Sequence, residues 1–332
     1  MNIREMSEEK EQKYLSKNAC LSKNSKGRLF DEEKCEIRTE FCRDRDRIVH
    51  SKAFRRLKHK TQVFISPDND HYRTRLTHTL EVSQIATTVA KALNLNVDLT
   101  EAISLGHDLG HTPFGHMGEK ILNKLNPKGF KHYEQSLRVV DVLEKDGRGL
   151  NLTFEVRDGI LNHAGDMLAK TFEGRIIKYA DRFAYLNHDI DDALRSEIIS
   201  QDDIPKEYLE ILGDRHSKRI NTLIKDIINS TLKNGDVSMS DEIYKTMMSL
   251  REFMFDYVYK KIAEQDKKVN MVIEKIYEYY LKNKDKLPHE FKLLLDKYED
   301  ETVVCDYIAS MTDGYILKEF NNLFVPQTWE KQ

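Results

Sequence analysis

Apolar residues recur at helical spacing along most of this chain, and little in it can interrupt a helix, so the fold open to it is helical. Lys206–Leu232, Ser240–Ala263 and Lys268–Lys284 carry the pattern with many Lys and Glu, residues that cost a helix little. Only 6 prolines and 14 glycines occur in 332 residues. The two-residue alternation of a strand is confined to short candidates such as Thr61–Ile65, and there is no internal repeat. The expected fold class is all-α.

Composition narrows the class of protein. Hydrophobic residues make up 39% and charged residues 33%, the balance of a globular chain with a heavily charged surface. A net charge of −3, from 53 basic and 56 acidic residues, gives no bulk electrostatic reason to bind nucleic acid. Cys20, Cys35, Cys42 and Cys305 are scattered without a CxxC pair, which predicts reduced thiols. Met1–Lys17 is charged throughout, unlike a signal peptide, and no window approaches the roughly 18 apolar residues of a membrane span. A cytoplasmic protein with no membrane partner is expected. Composition shifts suggest an N-terminal extension over 1–30, a chemistry-bearing core over 31–200, and a helical C-terminal region over 201–332 suited to subunit contacts.

Glycine is unevenly placed. Gly106, Gly110, Gly115 and Gly118 fall within thirteen residues, among His107, Asp108, His111, Pro113 and His116. Such a break in a helical pattern is where tight turns present side chains to a ligand. Around it, ionisable groups sit on apolar helical stripes. His78 precedes Val82, Ile85 and Val89; His107 follows Leu99 and Ile103; Asp181 shares a face with Ile177 and Ala184. Taken alone, such a histidine is a hydrogen-bonded core residue or a ligand, and Lys178 or Arg182 could neutralise Asp181. Together, two imidazoles and two carboxylates form a mixed nitrogen and oxygen set. That set suits a six-coordinate divalent ion with positions left open for water and phosphate oxygens, the arrangement that assists phosphoester hydrolysis. His116 and Glu119, three residues apart, would be neighbours on a helix and able to share a proton. Tyr185 and Asp189 follow Asp181 at four-residue steps, on one face.

The run His107–Glu119 (HDLGHTPFGHMGE), with His78 upstream and Asp181 downstream, resembles the HD-domain superfamily, and more narrowly the bacterial deoxyguanosine triphosphate triphosphohydrolases. Arg43–Phe64, Lys178–Asp192 and Cys305–Asp313 resemble three further stretches of that family, so the likeness runs from about residue 30 to 320. It implies an HD-domain helical core with an additional helical C-terminal part. It also implies hydrolysis of deoxynucleoside triphosphates at the α-phosphate, to deoxynucleoside and inorganic triphosphate. His78, His107, Asp108 and Asp181 match the metal ligands, for manganese, magnesium, nickel, cobalt, iron or zinc. His116 and Glu119 match catalytic residues, and His111 a histidine near the α-phosphate. Arg75 matches a phosphate contact, Tyr185 and Asp189 the deoxyribose contacts, and Gln62 a base or sugar contact. His132 matches a substrate contact in one of two registers of the His-Tyr-Glu-Gln stretch. Arg182 stands where many members carry Asp or Lys, and would serve a triphosphate; Gly314 stands where relatives often carry Arg.

The resemblance further implies a homo-oligomer, tetramer or hexamer. The basic stretch Arg43–Lys60 is open to three readings: a single-stranded DNA surface, a triphosphate-binding wall, or a solvated or subunit-facing helix. Two rival functions stay open on sequence alone: another HD-domain nucleotide phosphohydrolase, and a regulatory protein that binds nucleotide or single-stranded DNA with little turnover.

Overall fold

Five of the helices begin at a residue whose side chain caps them. The side chains of Asn2, Ser51, Asn96, Thr171 and Thr312 each accept a hydrogen bond from a first-turn backbone N–H that has no partner within its helix. The structure, a computed structural model, describes residues 1–62, 73–259 and 266–326. In chain order the principal helices are α1 (Ile3–Tyr14), α2 (Glu40–Val49), α3 (Lys52–Arg56), α4 (Arg75–Ala92), α5 (Val97–Gly106), α6 (Gly115–Leu125), α7 (His132–Arg138) and α8 (Phe154–Leu161). There follow α9 (Phe172–Arg195), α10 (Lys206–Leu212), α11 (His216–Asn234), α12 (Asp241–Met254), α13 (Asp266–Lys282), α14 (Asp300–Ser310) and α15 (Asp313–Phe324). Among the described residues there is no strand, only the isolated bridges Arg28–Thr153 and Thr61–Thr74. The fold is all-α, as the periodicity predicts. Of the strand candidate Thr61–Ile65, residues 63–65 lie outside the described residues.

The chain forms two compact units that interleave along the sequence. The first comprises Met1–Val49, His78–His107 and Asn151–Ala263; the second comprises His50–Thr77, Asp108–Leu150 and Glu264–Gln332. One crossing between them is the peptide bond joining His107 to Asp108. Among the described residues no helix is long and apolar enough to cross a membrane.

In the first unit α5 packs against α2, α8 and α9. Phe41, Ile48, Leu99, Ile103, Val156, Ile160, Ile176 and Phe183 are fully buried there. The first thirty residues are tied to this unit by carboxylates. Glu11 accepts from the amide and hydroxyl of Ser22, Glu155 from the Ser25 hydroxyl and the Lys26 amide, and Glu173 from the Cys20 amide. Arg28 pairs with Glu40 and Asp44.

Glu173 gives a pH signature. Its side chain is fully buried, its Oε1 accepts the amides of Cys20 at 3.0 Å and Asn96 at 2.9 Å, and burial pushes its carboxyl from the ordinary 4.5 up to about 7. The folded state therefore holds this proton more tightly than the unfolded state, and stability is lost as pH rises from about 4.5 through about 7. Glu173→Gln keeps the acceptor oxygen and removes the charge. Relative to the parent, it is expected to gain on the order of 2–3 kcal/mol between pH 5 and pH 8. Parallel urea melts of the two proteins at both pH values check this; an unchanged difference would refute it.

The second unit is built around α13. Val269, Ile273 and Ile276 pack with Ile121 and Leu122 of α6, Val303, Val304 and Ile308 of α14, and Ile316 of α15. Cys305 is buried here, and all four cysteines are free thiols.

Candidate active site

Two reciprocal close approaches in the first unit set the position of His107. Gly106, the last residue of α5, lies against Ile160 of α8, where a Cβ would come within 2.6 Å of Cδ1. Gly159 of α8 lies against Ile103 of α5 in the same way, at 2.5 Å. The missing side chains let the two helices converge, and their C-terminal ends carry His107 and His163. Each imidazole makes the same local bond: His107 Nδ1 donates to Ser104 O at 2.6 Å, and His163 Nδ1 donates to Ile160 O at 2.7 Å. A carbonyl can only accept, so Nδ1 carries a hydrogen in both rings and Nε2 is the nitrogen left to ligate.

Asp181, from the middle of α9, completes the group. Its Oδ1 lies 3.0 Å from His78 Nε2 and 3.8 Å from His107 Nε2, and its side chain is 24% exposed whereas those of His78 and His107 are buried. Ligand atoms of His107, His163 and Asp181 all lie within 4.8 Å of one another. Donors bound to one divalent ion at about 2.0–2.2 Å must lie roughly 3–4 Å apart, so this set fits an ion and can hold one. On the same helix, Arg182 is partly buried and Asp189 is buried. Burial pushes the Tyr185 hydroxyl up to about 12, keeping it a neutral hydrogen-bonding group. His188 meets Glu81 at 2.9 Å.

The second unit gathers the remaining residues around the glycine-rich turn. Asp108 accepts from Arg75 Nη1 at 3.0 Å through Oδ2 and from His111 Nε2 at 2.9 Å through Oδ1. Burial, with the Arg75 charge second, drives the His111 pKa well down, so its ring is neutral. His111 Nδ1 is buried without a hydrogen-bond partner among the described residues. The ring stacks on His132, with centroids 4.1 Å apart and planes 8° from parallel. Glu119, in α6, meets His132 Nδ1 at 3.1 Å and His116 Nδ1 at 3.5 Å, and also accepts the His132 amide at 3.1 Å. Burial works to raise the Glu119 pKa, but its bonds to His116 and His132 outweigh that and hold the carboxyl far below the usual range. His116 is 77% exposed, so an ionised carboxylate stands behind an accessible imidazole.

The turn itself is held from the C-terminal segment. Phe114 has the left-handed φ of 61°, unfavourable for a large side chain. Its amide donates to Asp313 Oδ1 at 3.0 Å, while Asp313 Oδ2 accepts the amide and hydroxyl of Thr61. Lys60, fully buried, donates to the carbonyls of His111 and Ala309, and burial pushes its ammonium down to about 7. Gln62 is buried beside this segment.

The structure thus brings His78, His107 and Asp181 together in one unit, and Arg75, Asp108, His111, His116, Glu119 and His132 together in the other. Reading the sequence did not single out His163, Lys60 or Asp306; the i−3 carbonyl bond that His163 shares with His107 is the sign that marks it. Within the basic stretch, Arg43 pairs with Glu32 and Glu40, Arg45 with Asp46, Asp98 and Glu101, Arg47 with Glu32, and Lys52 with Asp146 and Glu290. A phosphate backbone would have to compete with these carboxylates.

A helical fold carrying such histidine and aspartate groups defines a class. Residues 75–186 match the HD domain, and residues 237–322 match the phosphohydrolase-associated domain. The class is that of HD-domain phosphohydrolases. The chain is 56% identical to a deoxyguanosinetriphosphate triphosphohydrolase-like protein of Caldanaerobacter subterraneus, over 100% of this chain and 98% of that relative. Like-named proteins of Clostridium perfringens and Clostridium tetani are 51% and 48% identical, each over 98% of this chain and over 99% and 97% of their own lengths. The chain belongs to the family of deoxyguanosinetriphosphate triphosphohydrolase-like proteins.

Proposed function

We propose that this protein hydrolyses deoxynucleoside triphosphates at the α-phosphate, releasing deoxynucleoside and inorganic triphosphate. The strongest support is the donor group of His78, His107 and Asp181, set on helices of a chain that is half identical to triphosphohydrolase-like relatives. Asp108, the next residue after His107, is the fourth ligand in this reading. A divalent ion bound there supplies Lewis-acid polarisation of a phosphoryl oxygen.

The side chains supply the rest. Arg75, paired with Asp108, offers a guanidinium to a phosphate oxygen. Neutral His111 lies beside it for the α-phosphate. Water adds to the α-phosphorus as the bond to the sugar O5′ breaks; His116 gives a proton to that oxygen, the proton lost by the water passes to solvent, and His116 is recharged from solvent. The ionised Glu119 holds the His116 ring through Nδ1, while His132 shares the same carboxylate. Tyr185 and Asp189 take the deoxyribose, Arg182 the outer phosphates, and Gln62 the base or sugar. The enzyme works in the cytoplasm as a homo-oligomer in this reading.

Each deoxynucleoside triphosphate, incubated with manganese or magnesium and resolved by anion-exchange chromatography, tests the proposal. Triphosphate and free deoxynucleoside are expected in equal amounts. Asp181→Ala should lower the rate about a thousandfold, the equivalent of roughly 4 kcal/mol of lost charge stabilisation. Orthophosphate or pyrophosphate as the sole product would overturn it.

A further inference from the structure

We infer that His163 is a ligand of the same divalent ion, giving the centre a third imidazole beside those of His78 and His107. This rests on the metal-centre reading above and goes beyond its four ligands.

The case begins with the helix pair. The Gly106–Ile160 and Gly159–Ile103 contacts lock α5 and α8 at one spacing, so His107 and His163 leave neighbouring helix ends together. Both rings then make the same bond to the carbonyl three residues back, which fixes the same tautomer. A histidine prepared to ligate through Nε2 commonly has its other nitrogen engaged in this way. His163 thus repeats at α8 the preparation that His107 receives at α5.

The ring geometry agrees. Two imidazoles on adjacent positions of one ion, with metal–nitrogen distances of about 2.1 Å, place their ring centres roughly 4.5–5 Å apart and their planes steeply inclined. His107 and His163 have centroids 4.9 Å apart and planes at 77°. His78 and His107, at 5.8 Å and 61°, suit a wider angle on the same ion. The carboxylate of Asp181 stands with both His107 and His163 inside 4.8 Å. His163 is itself buried, so its ring faces this group and not solvent.

A third imidazole changes which ion the site prefers. Magnesium favours oxygen donors, whereas cobalt, nickel, iron and zinc gain from each added nitrogen. The inference therefore deepens the functional reading by assigning a transition-metal preference to the resident ion.

The full-length protein, stripped of metal by chelator, is titrated calorimetrically with cobalt and with magnesium. His163→Ala should weaken cobalt binding about a hundredfold and magnesium binding less than about threefold. A residue acting only behind the ligands would weaken both alike, and that result overturns the inference. Pulsed electron paramagnetic resonance on the manganese form counts directly bound nitrogens and needs no variant. Three are expected in the parent protein, and two there would refute the inference even if His163→Ala failed to fold. Asp181→Ala separates the two readings. If it leaves cobalt binding intact, the metal centre itself is wrong; if it abolishes binding while His163→Ala changes nothing, only the role of His163 falls.

Discussion

Glu119→Gln is expected to lower kcat by about 10²–10⁴-fold and to leave KM within a few-fold, the range by which positioned acid–base groups contribute. The carboxylate serves three donors at once: the ring of His116, the ring of His132 and the His132 amide. Glutamine keeps the shape and one acceptor oxygen, so the α6 geometry should survive. What it removes is the negative charge, which the two imidazole bonds maintain against burial. Without that charge, protonated imidazole loses its partner at the moment a proton must be delivered to the departing sugar oxygen. The loss should therefore fall on kcat across the pH range, since what goes is the partner that holds the proton-donating ring. Binding of the ion should not change, because Glu119 belongs to the other histidine group. Steady-state kinetics over pH 5.5–9 check both effects. A variant with parental kcat, or one losing only substrate affinity, would show that Glu119 is merely a capping or packing residue of α6.

The helical class was legible because period is a local property: the apolar stripes of α5 and α9 predict both the helices and the faces that carry His107 and Asp181. The same stripes exposed the donors of the metal centre, since a carboxylate or an imidazole on an apolar face stands out against its neighbours. His163 lacked that signal. It falls just past the end of α8, in a Leu-Asn-His-Ala-Gly stretch with no stripe, and its relation to His107 exists only through the packing of Gly106 and Gly159. The basic stretch was ambiguous for a related reason. Arg45 is compensated by Asp98 and Glu101, and Lys52 by Glu290, residues far away in sequence whose pairing composition cannot report. Nor does composition tell which helices pack together, so the interleaving of the two units could not be read from it. The Cys305–Asp313 stretch could be recognised but not explained, because Asp306 and Asp313 find their partners across more than a hundred residues.

Those partners make Asp306→Ala the substitution with the largest expected cost in stability, about 3–5 kcal/mol, as for breaking one side of a buried ion pair. The Asp306 side chain is 1% exposed. It accepts from Gln135 Nε2 at 2.8 Å, from Arg138 Nε at 2.8 Å and from Arg138 Nη2 at 2.7 Å, a two-pronged grip on the guanidinium. Burial holds its carboxyl pKa above the ordinary value although Arg138 draws it down, so a charge there would be costlier still without the arginine. Alanine would leave a mostly buried guanidinium, held by little more than its place 4.1 Å over the Tyr298 ring, and an amide without its acceptor. Arg138→Met with Asp306→Leu, replacing both partners by apolar groups, should cost far less than Asp306→Ala, because no charge is stranded. Both Gln135 and Arg138 lie on α7, whose first residue is His132. Loosening the far end of that helix should therefore also loosen the ring that shares Glu119, lowering kcat in whatever fraction stays folded. Urea unfolding of the three proteins, with activity measured well below the transition, tests both parts. A loss under about 1 kcal/mol in Asp306→Ala would mean the pair carries no more than an exposed one does.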